Sequence, residues 1–160
     1  MNQHQQGILD ISVATNQHPL QNLAEDYARR ILEKLNYIGV MTIEFFQKDD
    51  VLSVNEIAPR VHNSGHWTID GAKCSQFENH LRAINDLPLG STQRTNNSAM
   101  LNLISHIPNV EKLLDIENCH LHHYGKTSKP GRKVGHVTLC ESTENELAQK
   151  IKTVQAIIQE

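Results

Sequence analysis

The chain has 160 residues, of which 38% are hydrophobic and 21% charged, and its net charge is −3 at pH 7. This size allows one domain or two small ones with a buried core, and the negative balance argues against a general nucleic-acid-binding protein. Three cysteines without C-x-x-C spacing, and no run near ~18 apolar residues, predict reduced thiols in a cytoplasmic protein without a membrane span.

The first third of the chain predicts a strand, an amphipathic helix and a β-hairpin. The β-branched run at 7–15 is typical of a strand. Pro19 opens a helical pattern that Gly39 is suited to end. Two strand-like runs, 40–47 and 51–57, are separated by a short polar turn. The apolar stripe of the helix, at three- and four-residue spacing, consists of Leu20, Leu23, Tyr27, Ile31 and Leu35.

The remaining elements predict a second unit after a turn-rich segment at 86–98. Before that segment come a polar loop at 58–69 and a helix from about 71 to 85. We therefore expect an α+β protein with two domains, 1–97 and 98–160. The elements of the second are a strand at 99–105, a short helix after Pro108, strands at 119–125 and 133–141, and a helix opened by a capping box at Thr143 and Glu146.

Two acids in the predicted hairpin are candidates for a metal site. If the turn centres on Asp50, Glu44 lies directly opposite Glu56 on one face. Like charges placed opposite each other are destabilising unless a cation lies between them. Magnesium binds carboxylates together with substrate phosphates. The alternative is a pair of solvated acids on an exposed sheet face.

The segment "NEIAPRVHNSGHWT" at 55–68 follows the hairpin and concentrates polar groups. Arg60 offers a planar fork for phosphate or carboxylate. His62, Asn63 and Ser64 continue as a run of hydrogen-bonding side chains before a glycine. The segment therefore indicates a binding or catalytic loop. The alternative is an ordinary hydrogen-bonded turn that carries a surface arginine.

A second cluster of cations lies in "GKTSKPGRKVGH" at 125–136, between two predicted strands. Its charged residues are Lys126, Lys129, Arg132 and Lys133. A glycine- and proline-bearing basic loop of this kind can hold a phosphate. The alternative is a solvated hairpin tip.

Two further features favour structural interpretations. In "HLHH" at 120–123, His120 and His122 share one face of a strand, which is too few ligands for a structural zinc site. Cys74 lies in the helix predicted at 71–85 without a clear base partner. We therefore expect neither feature to carry the chemistry.

The stretches "GVMTIEFF" and "VLSVNEIAPRVHNSGHWTIDGAKCSQFENHLRAINDLPLG" resemble the second half of an ATP-grasp domain. They are more closely similar to the 5-(carboxyamino)imidazole ribonucleotide synthetase family, with "NEIAPRVHNSGHWT" as the specific signature. "GILDISVAT" and "GKTSKPGRKVGH" match that family in order and spacing. The resemblance implies the C-terminal half of an ATP-grasp domain, an antiparallel sheet with helices, followed by a small C-terminal α/β domain.

The family's activity is ATP-dependent ligation in de novo purine biosynthesis, in which bicarbonate carboxylates aminoimidazole ribonucleotide through carboxyphosphate. The resemblance implies ATP and Mg²⁺ as cofactors, small-molecule substrates only, a cytoplasmic location and a homodimer. It also implies residue roles. These are metal binding by Glu44 and Glu56, ATP binding by Asn55 and Glu56, catalysis by Arg60 and His62, and substrate binding by Asn63, Ser64, Lys126, Arg132 and Lys133.

The sequence departs from the wider pattern in two ways. Many ATP-grasp enzymes carry an asparagine two residues after the second metal glutamate, where this chain has Ala58. The first half of the ATP clasp and the N-terminal substrate domain have no counterpart here, so we expect the chain alone to be inactive. The alternatives are a non-catalytic nucleotide-binding module, and a formate-dependent glycinamide ribonucleotide formyltransferase, which shares the acid-x-x-Pro-Arg-x-His core but lacks the Asn-Ser-Gly-His run.

Overall fold

A computed structural model describes residues 1–5, 7–15 and 18–160. The strands in this part of the chain are β1 Asn2–Gln5, β2 Ile8–Val13, β3 Thr42–Lys48, β4 Val51–Ala58, β5 Asn97–Ile104, β6 Cys119–His123 and β7 Lys133–Glu141. The helices are α1 Gln21–Leu35, α2 Thr68–Gly71, α3 Gln76–Ile84, α4 Val110–Leu114 and α5 Glu144–Gln159, with a 3₁₀ turn at Asn63–Gly65.

Five strands form one antiparallel sheet in the order β1-β2-β5-β7-β6, and β3 and β4 form a separate antiparallel hairpin. Helices and antiparallel strands together confirm the α+β class. The large sheet joins β2 from the first half of the chain to β5 from the second. The division into domains at 97/98 stays a prediction.

One face of the large sheet packs against α5 and α4 to form the apolar core. Alternate residues of β5 point to this face, and they are fully or almost fully buried. Burying a leucine such as Leu101 or Leu103 contributes about 1.5–3 kcal/mol. The core cluster consists of Ile11, Ala99, Leu101, Leu103, Leu113, Val134, Val137, Leu139, Leu147, Val154 and Ile157.

The opposite face of the same sheet is polar and is covered by the loop between β4 and α3. Ser12 Oγ donates to the carbonyl oxygen of Ser64 at 3.0 Å. Ser98 lies so close to α2 that a Cβ on Gly71 would come within 2.2 Å of its Oγ, which only glycine avoids. The sheet therefore holds the polar loop at short range and fixes its position.

The hairpin and α1 have little apolar packing of their own. No residue of α1 is buried, and Phe46 and Val51 of the hairpin are 64% and 61% exposed. Tyr27, Ile31, Val54 and Ile57 line an open groove of about 640 Å³ between α1 and β4. No helix in the described part of the chain is long and apolar enough to cross a bilayer.

Several element boundaries differ from those predicted. Helix α1 ends at Leu35 rather than near Gly39, because its C-cap residue Asn36 adopts the left-handed conformation, with φ 48° and ψ 44°. The predicted helix at 71–85 is two helices, and Ser75 caps the second by accepting from the amide of Glu78. Cys74 lies in the link between them and not in a helix, and it is buried.

At the ends of the chain, one prediction is confirmed and one strand was missed. The capping box at Thr143 and Glu146 is present at the start of α5. β1 was not predicted, because "NQHQ" has no apolar or β-branched residue, and it pairs with β2 by its backbone. β6 ends at His123, two residues before the predicted end.

Candidate active site

Two acids that face each other across the hairpin, Glu44 and Glu56, form what we call the acidic wall of the site. Glu44 and Glu56 are directly opposite each other, as expected. The assumed turn centre was wrong, however, because the turn has two residues and Lys48 pairs with Val51. A bulge restores the pairing of the acids, since Asn55 is inserted between the partners of Phe45 and Glu44.

Neighbouring amides orient the Glu44 carboxylate. Asn2 Nδ2 donates to one oxygen at 3.2 Å, and Asn55 Nδ2 lies 3.5 Å from the other. Glu44 is mostly covered, with 11% of its side chain exposed, whereas Glu56 is exposed. One acid is thus held in place while the other remains open to a ligand.

His62 lies beside this pair, and 9% of it is exposed. Its Nδ1 is 3.9 Å from the Glu44 carboxylate and accepts from the backbone amide of Ser64 at 3.3 Å. A neutral ring that accepts at Nδ1 carries its proton on Nε2. Burial lowers the pKa of His62, and the charges of Arg60 and Lys133 lower it further against the opposing effect of the acids. His62 is therefore neutral at pH 7.

The basic side of the site is joined to this loop by an amide pair between the buried Asn102 and the half-buried Asn63. Asn102 Nδ2 donates to Asn63 Oδ1 at 2.6 Å, and Asn63 Nδ2 donates back to Asn102 Oδ1 at 3.0 Å. Lys133 Nζ also donates to Asn63 Oδ1, at 2.9 Å. Burial lowers the pKa of Lys133, while the charges of Glu44 and Glu56 raise it. Residues from β5, β7 and the loop thus form one network.

A second bulge directs Lys133 into the site. Leu103 pairs with Gly135 and Ile104 pairs with Lys133, so Val134 is the extra residue in β7. The extra residue reverses the inside-outside alternation of the strand beyond it. Val134 therefore enters the core with an exposure of 0%, and the Lys133 ammonium reaches the polar loop instead.

The other predicted cations are less constrained. Lys126 lies over the ring of Tyr124, with Nζ 5.2 Å from the ring centroid. Arg132 donates to the carbonyl of Thr127 at 3.3 Å. Arg60 is exposed, and its guanidinium donates to the carbonyl of Val61 at 3.0 Å. These side chains are free to turn towards an anion.

The acidic wall and the cations Lys126, Arg132 and Lys133, which form the basic wall, meet at one cavity of about 400 Å³. Six of the predicted site residues line it, namely Glu44, Glu56, His62, Lys126, Arg132 and Lys133. Asn55 and Ser64 line an adjoining cavity of about 440 Å³, which also includes Glu44. Asn63 supports Lys133 through its side chain, and Arg60 lies outside the described lining of both cavities.

Two supporting residues were missed from the sequence. Asn102 is a polar residue within the apolar run "AMLNLIS", and this interruption of a buried strand was a usable signal. Gln76 bonds to the backbone of His62, but nothing in its local sequence distinguishes it from any first-turn helix residue. His4 and Gly7 also line the 400 Å³ cavity, and they come from the unpredicted β1 and its turn.

The donor set fits a magnesium ion that is shared with a phosphorylated ligand. Mg²⁺ is usually held by one or two carboxylates together with phosphates and water. Glu44 and Glu56 supply two carboxylates, and no group of three or more His, Cys, Asp or Glu within the described ranges is arranged to hold a metal on its own. Such a site would be completed by the phosphates of a nucleotide.

The histidines of "HLHH" are engaged elsewhere. His122 Nε2 lies 2.8 Å from one oxygen of Asp70, and His120 Nδ1 lies 4.0 Å from the other. The His122 ring also stacks on His136 with centroids 4.4 Å apart. These contacts connect β6 and β7 to α2 and stabilise the junction behind the site.

Comparisons with known proteins agree with this geometry. Residues 1–77 match the ATP-grasp domain family, and residues 98–150 match the phosphoribosylaminoimidazole carboxylase C-terminal domain family. An N5-carboxyaminoimidazole ribonucleotide synthase from Pseudomonas aeruginosa is 58% identical over 99% of this chain.

Solved structures that resemble this chain come from the same family of enzymes. The N5-carboxyaminoimidazole ribonucleotide synthetase from Thermus thermophilus superposes with a TM-score of 0.95 at 50% identity, over 99% of this chain and 45% of that one. The Aspergillus clavatus enzyme, in complex with ADP and 5-aminoimidazole ribonucleotide, has a TM-score of 0.91 at 35% identity, over 99% and 46% of the two chains.

The relatives are longer than this chain, which spans 44% of the Pseudomonas aeruginosa protein. The segment that matches the ATP-grasp family contributes Glu44, Glu56 and His62 to the cavity, and the segment that matches the C-terminal domain family contributes Lys126, Arg132 and Lys133. The chain therefore belongs to the N5-carboxyaminoimidazole ribonucleotide synthase family and corresponds to the C-terminal part of its members.

Proposed function

We propose that this chain supplies the metal-binding hairpin, the catalytic loop and the ribonucleotide phosphate site of an ATP-dependent N5-carboxyaminoimidazole ribonucleotide synthase. The observation that carries the proposal is the cavity with an acidic wall and a basic wall. Glu44 and Glu56 on one side suit a metal with nucleotide phosphates, and Arg132 and Lys133 on the other suit a second phosphate.

The proposed reaction has two steps. Bicarbonate attacks the γ-phosphorus of ATP, ADP leaves, and carboxyphosphate forms. The exocyclic amine of aminoimidazole ribonucleotide then attacks the carboxyl carbon, phosphate leaves, and the amine nitrogen loses a proton. Phosphoryl transfer of this kind depends mainly on positioning and electrostatic stabilisation. A site made of fixed donors and cations, as here, is suited to it.

The acids act on the nucleotide side. Glu44, oriented by Asn2, and the open Glu56 are the residues that would hold Mg²⁺. The metal would neutralise the charge that develops on the transferred phosphoryl group. Asn55, which lines the adjoining cavity, contacts the nucleotide.

The loop and the basic wall act on the carboxyl group and the ribonucleotide. Neutral His62 directs its Nε2–H donor towards the carboxyl group, and Arg60 turns its guanidinium towards carboxyphosphate. Lys126, Arg132 and Lys133 hold the ribonucleotide phosphate, with Lys133 fixed by Asn63. Ser64 keeps the His62 ring in its tautomer. The Aspergillus clavatus relative, solved with ADP and 5-aminoimidazole ribonucleotide, supports the choice of both ligands.

The same proposal includes bicarbonate as co-substrate, a cytoplasmic location and a homodimer. Three free thiols, of which two are buried, suit a reducing compartment. The dimer rests on the family resemblance.

The proposal is tested in a chimera. Residues 1–160 replace the matching segment of the Pseudomonas aeruginosa relative, which is 58% identical over almost the whole chain. We expect phosphate release that depends on both bicarbonate and aminoimidazole ribonucleotide, and none from the isolated chain. A folded chimera that binds the ribonucleotide without releasing phosphate would support a non-catalytic module instead.

Arg132→Ala in the chimera tests the basic wall. Loss of a charge-assisted, bidentate contact costs roughly 1.5–3 kcal/mol, or about one to two decades in affinity. We expect the KM for the ribonucleotide to rise by that factor while the KM for ATP stays within about twofold. Arg132→Lys restores only part of the loss, because an ammonium keeps the charge but not the fork.

Lys129→Ala is the matched control, because Lys129 is an exposed cation of the same loop outside the described cavity lining. If Arg132→Ala and Lys129→Ala have the same small effect on both constants, Arg132 does not bind the phosphate.

A further inference from the structure

We propose that Gln76 is a positioning residue that sets the orientation of His62; the inference rests on the proposed function of that histidine. Gln76 Oε1 accepts from the backbone amide of His62 at 2.9 Å, and Gln76 Nε2 donates to the His62 carbonyl at 2.7 Å. One side-chain amide therefore satisfies both backbone polar groups of a catalytic residue.

This two-point contact fixes more than a single hydrogen bond does. It holds the His62 backbone in the extended conformation, with φ −128° and ψ 149°, immediately before the 3₁₀ turn. With the backbone held at both groups, the ring lines the same cavity as Glu44, Glu56 and Lys133. Gln76 itself is the first residue of α3, so the clamp is anchored on a helix.

The loop is shaped around this amide. A Cβ on Gly65 would lie 2.7 Å from Gln76 Oε1, so the clamp requires a glycine there. The Gln76 backbone amide donates to Thr68 Oγ1 at 3.0 Å, and Thr68 Oγ1 donates to the Gly65 carbonyl at 2.7 Å. Gly65, Thr68 and Gln76 therefore form a closed set of contacts behind His62.

His66 completes the clamp. Nε2 of Gln76 has two hydrogens, of which one goes to the His62 carbonyl and the other to His66 Nδ1 at 2.9 Å. That contact requires an unprotonated Nδ1. Burial, with the charges of His62, Lys133 and His122, lowers the pKa of His66 to about 4, against the opposing effect of a hydrogen bond to the His62 backbone. His66 is therefore the neutral acceptor that keeps the Gln76 amide in its orientation.

Gln76→Glu tests the clamp with a change of almost no volume. The carboxylate still accepts from the His62 amide, but its second oxygen faces a carbonyl oxygen and an unprotonated Nδ1, and it repels both. We expect kcat of the chimera to fall about tenfold to hundredfold, the cost of a displaced catalytic group. The KM for the ribonucleotide stays within about twofold, because the phosphate is held by other residues.

A second measurement does not depend on activity. The new carboxylate favours a proton on His66, so its pKa in this 160-residue chain rises by about 1–3 pH units, followed by NMR titration of the ring. If the side chain at position 76 does not face His66 Nδ1, that pKa stays unchanged. Gln149→Glu, the same substitution on the exposed surface of α5, is the matched control.

Each outcome decides the inference. Unchanged kcat in a folded, active Gln76→Glu chimera overturns it. If this variant does not fold, Gln76→Asn takes its place, since the shorter amide cannot reach both backbone groups and kcat falls in the same range. If the unsubstituted chimera is inactive, the proposed function fails, and the NMR titration decides the clamp alone: an unchanged His66 pKa refutes it.

Discussion

The large sheet and the hairpin differ sharply in how they are held. Leu103, Val137 and Leu139 of the sheet are fully buried beneath α5. Val54 and Ile57 of the hairpin are 48% and 43% exposed, and the hairpin strands pair only with each other in the described chain. The apolar free energy of folding therefore comes mainly from the sheet.

The site lies between these two regions. One of its walls is carried by the packed sheet and the other by the exposed hairpin. The basic wall is formed by Lys133, the first residue of β7 in the packed sheet, and by Lys126 and Arg132 in the loop before it, whereas the acidic wall stands on the exposed hairpin. Polar contacts, such as Asn2 to Glu44 and Asn63 to Asn102, connect the two. We infer that the acidic wall is the more adjustable one, as suits the side that we propose for a metal and a nucleotide.

The largest expected effect tests the stabilities directly. Leu103→Ala removes a fully buried side chain and should cost about 2–5 kcal/mol in the free energy of unfolding. Val54→Ala in the hairpin should cost about 0.5 kcal/mol or less, because its side chain is half exposed. Urea unfolding of this chain measures both. Equal losses would abolish the contrast between the regions.

The next effect concerns the function of the hairpin. In the chimera, Glu56→Gln keeps the shape of the acidic wall and removes one charge, and turnover should fall by about 10²-fold or more. The isolated chain should be no less stable, since the change relieves a like-charge pair. Asp50→Asn, at the tip of the same hairpin, is the control. Turnover near that of the unsubstituted chimera at limiting magnesium would remove Glu56 from the metal site.

The smallest effect is the pH dependence of stability that arises from His136, in the junction behind the site. Burial, with neighbouring histidines, lowers the pKa of His136 to about 3, while its unfolded value is near 6.5. Below pH 6.5 the unfolded chain binds a proton that the folded chain does not, so stability falls as the pH drops towards 3. One such group contributes at most about 1.4 kcal/mol per pH unit.

The measurement is the urea midpoint of the chain between about pH 7 and pH 5, within the window where the unfolded histidine takes up its proton. His136→Gln should reduce its slope with pH, and His106→Gln, at an exposed histidine, is the control. A slope that is the same in the original chain and in His136→Gln would show that the acid sensitivity arises elsewhere.

Sequence patterns predicted the elements that depend on apolar periodicity and local caps. The β5 and β7 strands and the capping box of α5 are of this kind. The pairing of Glu44 with Glu56 was also predicted, but by two compensating errors, a wrong turn centre and an unseen bulge. The bulge at Asn55 left no local signal of this kind, because β4 contains no glycine to mark it.

What the sequence could not provide is the support around the predicted residues. The direction of Lys133 depends on a bulge at Val134, and the position of His62 depends on Gln76 fourteen residues later. β1 forms because β2 offers a backbone edge, which composition does not report. The identities of candidate site residues could therefore be predicted from the sequence, but their positions relative to one another could not.

The mixed origin of the large sheet has a consequence for how such a protein can be rearranged. β2 belongs to the segment that matches one domain family and β5 to the segment that matches another, yet Ile11 and Leu101 are neighbours in one ladder. Removing either segment would leave the edge of the remaining strand unpaired, a known route to aggregation. The two segments are therefore expected to fold as a single unit.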